Sequence, residues 1–233
     1  MITLRKSEER GRTKLDWLDS KHSFSFGNYF DLGHMGFGTL RVINEDMVNA
    51  AAGFDTHPHR DMEILTYVLE GELEHKDTLG TGSIIVPGDV QRMSAGTGIM
   101  HSESNPLSDT PVHLLQIWII PEKEGFPPSY EQKNFTKNRK PGKLTLVASH
   151  NGKDDSLTIH QDVSLYVLDL NTGKSFSYEL AKDRMAWVQM ARGKARLNGQ
   201  LLEQGDGAAI IDEKTLEFKA EDKAEILIFD LTH

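Results

Sequence analysis

Apolar residues in this chain come in short runs, and turn residues separate the runs. Glu63 to Leu69, Ile84 to Val86, Val112 to Ile120, Leu144 to Ala148, Ser164 to Leu170, Ala186 to Met190, Ala195 to Leu197, Ala208 to Ile211 and Glu225 to Leu231 all read as strands. Each is short. Gly71, Gly80, Gly82, Pro87-Gly88, Gly96, Gly98, Gly193, Gly199, Gly205 and Gly207 punctuate them. Short strands at this spacing predict an all-β sandwich or barrel. Few windows carry a helical period. Leu15 to Ser20 reads as a turn, and Ser129 to Phe135 fits neither pattern cleanly. Tyr130 to Lys143, polar and basic with Pro141-Gly142 inside it, reads as a connection between two halves.

A faint repeat supports the two halves. Tyr67-Val68-Leu69-Glu70-Gly71-Glu72-Leu73-Glu74 is followed by Val86-Pro87-Gly88-Asp89. Val188-Gln189-Met190-Ala191-Arg192-Gly193-Lys194-Ala195 is followed by Gln204-Gly205-Asp206-Gly207. Both read strand, glycine turn, strand, Gly-Asp turn, which points to a duplicated barrel.

Composition narrows the function. The chain has 233 residues and a formal net charge of −9. An acidic balance argues against a nucleic-acid footprint, which needs a basic face. With no cysteine, neither a disulfide nor a thiolate metal site can form. The first residues lead directly into polar sequence, and no apolar run approaches the roughly 20 residues that cross a bilayer. The expectation is a cytoplasmic protein with no membrane contact.

Two strings carry candidate chemistry: His57-Pro58-His59 and His101-Ser102-Glu103. Alternate side chains on a strand share a face, so each string can aim two metal-competent groups at one point. Pro58 fixes its own φ and pushes His57 toward extended backbone. Three imidazoles and one carboxylate suit a divalent transition metal and leave two positions of an octahedral ion open. If the strand continued unbroken, His57, His59, Asp61 and Glu63 would share one face. Asp61 is not expected to be a ligand, but Glu63 and Glu103 both qualify, and spacing does not choose between them. His75 and His113 lie on or beside predicted strands; His113 could line the barrel near the metal, or either could be a satisfied or exposed histidine. Phe24, Phe26, Phe30, Phe37, Met93 and Trp118 read as core, a few of them possible pocket walls. His160 reads as a surface or hairpin residue, and His22 and His34 carry no metal spacing.

Several strings resemble the pirin family of the cupin superfamily. They are Trp17-Leu18-Asp19-Ser20, His22-Ser23-Phe24-Ser25-Phe26, Gly36-Phe37, Leu40-Arg41-Val42, Thr56 to Glu63, Leu69-Glu70-Gly71, Met93 to Glu103 and Leu115-Gln116-Ile117-Trp118. The match is strong to about residue 135 and loose beyond. The resemblance implies two tandem cupin (double-stranded β-helix, jelly-roll) barrels packed together. A metal-binding domain would span 1–134, and a cupin-like domain without a metal site 135–233. It assigns His57, His59, His101 and Glu103 as ligands. Glu63, at the position many other cupins use for their carboxylate ligand, is left as a residue that could orient a ligand histidine.

The implied activity is quercetinase-type 2,3-dioxygenation of a flavonol by dioxygen, with Glu103 accepting or relaying the hydroxyl proton. The expected cofactor is one divalent ion, Fe(II) first, with Ni, Mn, Co, Cu or Zn able to use the same ligands. The chain is expected to be a monomer with no direct nucleic-acid partner. The alternative is a redox-sensing, metal-binding regulatory protein acting through protein partners.

Overall fold

The computed structural model describes residues 1–233. It contains twenty-two strands and two short 3-10 turns, and no helix is long and apolar enough to cross a membrane. In chain order the strands are β1 (Ile2–Arg5), β2 (Gly11–Lys14), β3 (Leu18–His22), β4 (Leu40–Val48), β5 (Gly53–His59), β6 (Glu63–Glu70), β7 (Leu73–Asp77), β8 (Gly82–Ile85), β9 (Asp89–Ser94), β10 (Ile99–Ser104), β11 (Val112–Ile119) and β12 (Ser129–Asn134). They continue as β13 (Leu144–Ser149), β14 (Leu157–Thr158), β15 (Val163–Leu170), β16 (Ser175–Glu179), β17 (Arg184–Arg192), β18 (Lys194–Leu197), β19 (Gln200–Glu203), β20 (Gly207–Ile210), β21 (Thr215–Ala220) and β22 (Ala224–Thr232).

The chain forms two units, and a single cut does not divide them. One unit comprises Gly11–Asn134 and Leu157–Gln161; the other comprises Met1–Arg10, Phe135–Ser156 and Asp162–His233. The expected boundary at 134/135 therefore misplaces two segments. Strand β1 runs antiparallel along β20, with Ile2 opposite Ile210 and Leu4 opposite Ala208. It covers an edge that would otherwise expose unpaired backbone groups, and Ile2 and Leu4 rest on the C-terminal core.

The first unit is a barrel of two antiparallel sheets. One has the order β12-β9-β6-β11-β4-β3-β2 and the other β5-β10-β7-β8. Leu18, Val48, Val68, Leu73, Ile85, Val112 and Leu114 fill one part of its interior. Ile64, Met93, Ala95 and Ile99 fill another. Two segments differ from the sequence reading. Ser129–Asn134 is an edge strand paired along its whole length with β9, although the stretch from Tyr130 reads as a connection. Its side chains are mostly polar and, Asn134 apart, half-buried, so no alternation shows. Tertiary bonds hold it instead: Gln132 and Asn134 donate to the Asp89 carboxylate, and Arg92 pairs with Glu131 at 2.8 Å. Likewise the segment read as a turn at Leu15 to Ser20 runs into β3, which pairs with β4.

The second unit repeats the plan, with β1-β20-β17-β22-β15-β13 in one sheet and β16-β21-β18-β19 in the other. Its interior is one apolar cluster that includes Leu168, Val188, Leu197, Ile210, Leu216, Phe218, Ile226 and Ile228. The sequence repeat corresponds to repeated geometry. Gly71 (φ +76°) and Gly193 (φ +73°) both sit in left-handed backbone, where a Cβ would strike the carbonyl oxygen of Pro111 and of Lys223 respectively. In each Gly-Asp turn the aspartate carboxylate accepts a backbone N–H three residues back: Val86 to Asp89 at 3.1 Å and Glu203 to Asp206 at 2.9 Å.

Candidate metal centre

Three neighbouring strands bring the histidines together. Strand β10 lies between β5 and β7, and His101 is opposite His57 on one side and Asp77 on the other. A register shift between His101 and Glu103 then sets Glu103 opposite Phe54 and, across β7, opposite His75. Burial alternates along both strings: Pro58 is exposed between half-buried His57 and His59, while His101 and Glu103 are buried around half-buried Ser102. The period-two expectation therefore holds for each string.

Ring nitrogens of His57, His59 and His101 lie within 4.8 Å of one another. Nε2 of His57 and Nε2 of His101 are 3.0 Å apart. Hydrogen bonds on the far sides of the rings fix the tautomers. Nδ1–H of His57 donates to the Asp55 carbonyl at 2.7 Å, which leaves its Nε2 bare. Nε2–H of His75 donates to the Asp77 carboxylate at 2.9 Å. The bare Nδ1 of His75 can then accept Nδ1–H of His101, 3.4 Å away. Nε2 of His101 is bare in turn. In this tautomer the two facing lone pairs can share a cation; with the His101 proton on Nε2 instead, the same 3.0 Å contact is a hydrogen bond to His57. Two nitrogens each about 2.1 Å from one ion, at right angles, are about 3.0 Å apart, so the donor set fits a transition metal.

Burial favours the neutral form of His101 and of His59. It lowers the His101 pKa to about 3, with the rings of His57 and His75 adding to the effect and Asp77 opposing it. It lowers His59 to about 4, with His101 and His57 adding and Glu103 opposing. Neutral imidazole is the form that binds metal. His59 also packs edge-to-face with Trp118, 4.9 Å between ring centres.

Glu103 is buried and accepts Gln116 Nε2–H at 3.2 and 3.0 Å on its two oxygens. It forms a second trio with His101 and His75 rather than with His57 and His59. Glu63 lies elsewhere. The strand breaks at Asp61, which adopts φ +46°, so the shared face ends there. Glu63 instead accepts from Ser94 Oγ at 2.9 Å and lies 3.1 Å from His160 Nδ1. It touches no histidine of the cluster, and His160 is its half-buried partner rather than a free surface residue. Asp61 accepts the Gly125 N–H at 2.7 Å. His113 pairs with Glu45 at 2.9 Å, and His34 with Asp31 at 2.7 Å.

Beside the cluster, between the two sheets of the first barrel, lies a cavity of about 230 Å³. His57, His59 and Glu103 line it together with Phe26, Phe54, Trp118, Gln116, Asp46, Asn44 and His22. Of the residues read as core, Phe24 and Met93 are buried, Phe37 is half-buried, Phe26 and Trp118 are cavity walls, and Phe30 is 68 % exposed. Sequence reasoning missed Asp46 and Asp77. His75-Lys76-Asp77 carried the same alternate spacing as the ligand strings, and that signal could have drawn attention to the pair.

The pirin family model matches residues 3–119, and a model described as the quercetinase C-terminal cupin domain matches 146–231. A protein of Escherichia coli K12 named quercetin 2,3-dioxygenase is 48% identical over 231 residues, 99% of each chain. The chain belongs to the pirin family. Both barrels of this pirin are accordingly cupin domains. A crystal structure described as the bacterial pirin YhhW from Escherichia coli in complex with nickel(II) has a TM-score of 0.95 at 47% identity, covering 100% of this chain and 99% of that one. A structure from Acinetobacter baumannii named quercetin 2,3-dioxygenase shares the fold at 19% identity, with a TM-score of 0.78 over 99% of this chain and 85% of that one.

Proposed function

We propose that this pirin is a metal-dependent dioxygenase of the quercetinase type, which cleaves a flavonol with dioxygen in a 2,3-dioxygenation that releases carbon monoxide. The observation that carries the proposal is the convergence of bare imidazole nitrogens beside a cavity walled by Phe26, Phe54 and Trp118 and holding Glu103. His57, His59 and His101 would hold a single divalent ion, with Glu103 as the fourth candidate ligand. Mixed imidazole and carboxylate donors with open positions favour iron(II) as the native ion. Nickel, named in the Escherichia coli pirin structure, suits the same donors, as do manganese, cobalt, copper and zinc. The relatives' name supports the flavonol assignment.

When bound, the ion supplies Lewis acidity that lowers the pKa of a hydroxyl beside it. The Glu103 carboxylate takes the proton of the flavonol 3-hydroxyl. Gln116 fixes that carboxylate through both oxygens. The aromatic walls hold the flat rings and exclude water, so that the electron-rich flavonolate meets dioxygen rather than bulk solvent.

The test is oxygen uptake by metal-replete protein given quercetin, with metal content measured by elemental analysis. His101→Ala should lose both the metal and the uptake. Full uptake by metal-free His101→Ala overturns the proposal. No uptake across a flavonol panel, together with capture of a protein partner that depends on the oxidation state of the metal, would favour the regulatory alternative.

A further inference from the structure

Three residues that line the cavity beside the histidines each carry a buried polar atom without a hydrogen-bond partner: Oδ1 of Asp46, Oε1 of Gln116 and Nε1 of Trp118. Buried polar atoms are normally paired, and each exception calls for an explanation. Three exceptions around one cavity are explained if a ligand completes them.

Their chemistry defines that ligand. Gln116 donates to Glu103 through Nε2, and its Oε1, which no donor meets, is left as an acceptor. Trp118 Nε1 can only donate. Asp46 is 4 % exposed. Burial pushes its pKa up to about 7, Glu103 and Glu45 add to the rise, and Ser20 and His113 oppose it. Near neutral pH its free oxygen can meet a hydroxyl as acceptor or donor. Phe26, Phe54 and Trp118 supply flat apolar walls. The complement is a planar aromatic molecule with at least two ring hydroxyls and one further acceptor oxygen.

We propose that Asp46, assisted by Gln116 and Trp118, selects polyhydroxylated planar aromatics by bonding hydroxyls other than the one beside the metal. The proposal rests on the reading of the cavity as the substrate site of a dioxygenase. Asp46 is thereby a specificity-determining residue, and the chain keeps a buried carboxylate with an open oxygen for that purpose.

The test compares quercetin, with hydroxyls on both ring systems, and 3-hydroxyflavone, which has a single hydroxyl. Binding to metal-loaded protein is followed anaerobically by tryptophan fluorescence, in wild type, Asp46→Asn and Asp46→Ala. In Asp46→Ala the Kd for quercetin should rise about tenfold or more, as for loss of a hydrogen bond to an ionisable group. The Kd for 3-hydroxyflavone should move less than about threefold. Asp46→Asn should lie between, metal content should be unchanged, and Tm should not fall. Equal weakening of both ligands, or no change in either, overturns the proposal. Should wild type bind neither flavonol, the dioxygenase reading fails by itself. Catechol against 1,2-dimethoxybenzene then decides the anchor: a preference for catechol that Asp46→Ala abolishes supports it, and no preference overturns it.

Discussion

Asp77→Asn should cripple metal binding from a position that touches no metal. Asp77 is pinned from two sides. Its Oδ1 accepts the backbone N–H of Leu79 at 2.9 Å and of Thr81 at 3.0 Å, while its Oδ2 accepts His75 Nε2–H. In the asparagine variant the amide oxygen must stay with the two N–H donors. The NH2 then faces His75 Nε2 and donates to it. The His75 proton moves to Nδ1, where it opposes Nδ1–H of His101. Relief requires His101 to carry its proton on Nε2, the nitrogen aimed at the cluster. Both side chains of the His75–Asp77 pair are 0 % exposed, so water cannot repair the chain of bonds. Loss of a partner that orients a ligand histidine typically costs 10- to 100-fold in metal affinity, about 1.4–2.8 kcal/mol. Nickel(II) titration against a chromophoric chelator reads the affinity, and imidazole nitrogen chemical shifts of the metal-free protein read the His101 tautomer. An affinity within twofold of wild type, with the tautomer unchanged, would refute the relay.

Two further expectations follow from burial and packing. In metal-free protein, His59 and His101 titrate at about 4 and 3, against about 6.5 when unfolded. Between about pH 4 and 6 the unfolded chain therefore holds about two more protons at these sites, and stability rises with pH. Asp46 acts in the opposite sense: folded it titrates near 7, unfolded near 3.9, so the folded state keeps one proton more. Asp46→Asn removes that opposing proton, and the slope of unfolding free energy against pH should steepen by about 1.4 kcal/mol per unit across this window; denaturant unfolding at several pH values that shows equal slopes would contradict it. Gly53→Ala should drive β5 away from β10, because a Cβ there would lie 2.3 Å from the Glu103 carbonyl oxygen and 2.5 Å from Ser104 Cα. A thermal melt should show a loss of about 1–3 kcal/mol, accompanied by weaker metal binding; a melt and titration that match wild type would show that the strand pair yields without cost.

Much of this pirin was legible in its residue order. Alternating apolar runs with glycine punctuation specify strands because a pleated backbone presents every second side chain to one face. The paired spacing of His57 with His59, and of His101 with Glu103, specified that each pair shares a direction. The Gly71 and Gly193 turns specified the duplication, because only glycine fits where the backbone turns left-handed against a neighbouring carbonyl. These are local properties, set by bonds within a few residues.

Long-range pairing decided the rest. Local pattern did not reveal Ser129–Asn134 as a strand, since bonds to Arg92 and Asp89 from a distant segment hold it. The side chain of Glu63 parts from the histidines because Asp61 breaks the extended run that parity assumed. The N-terminal strand β1 joins the barrel built by the end of the chain, which no cut in residue number could express. The Asp77–His75–His101 relay and the open oxygen of Asp46 exist only once β4, β5, β7 and β10 are aligned in register. Spacing along a strand sets which way a side chain points; only the pairing of strands far apart in sequence sets what it meets.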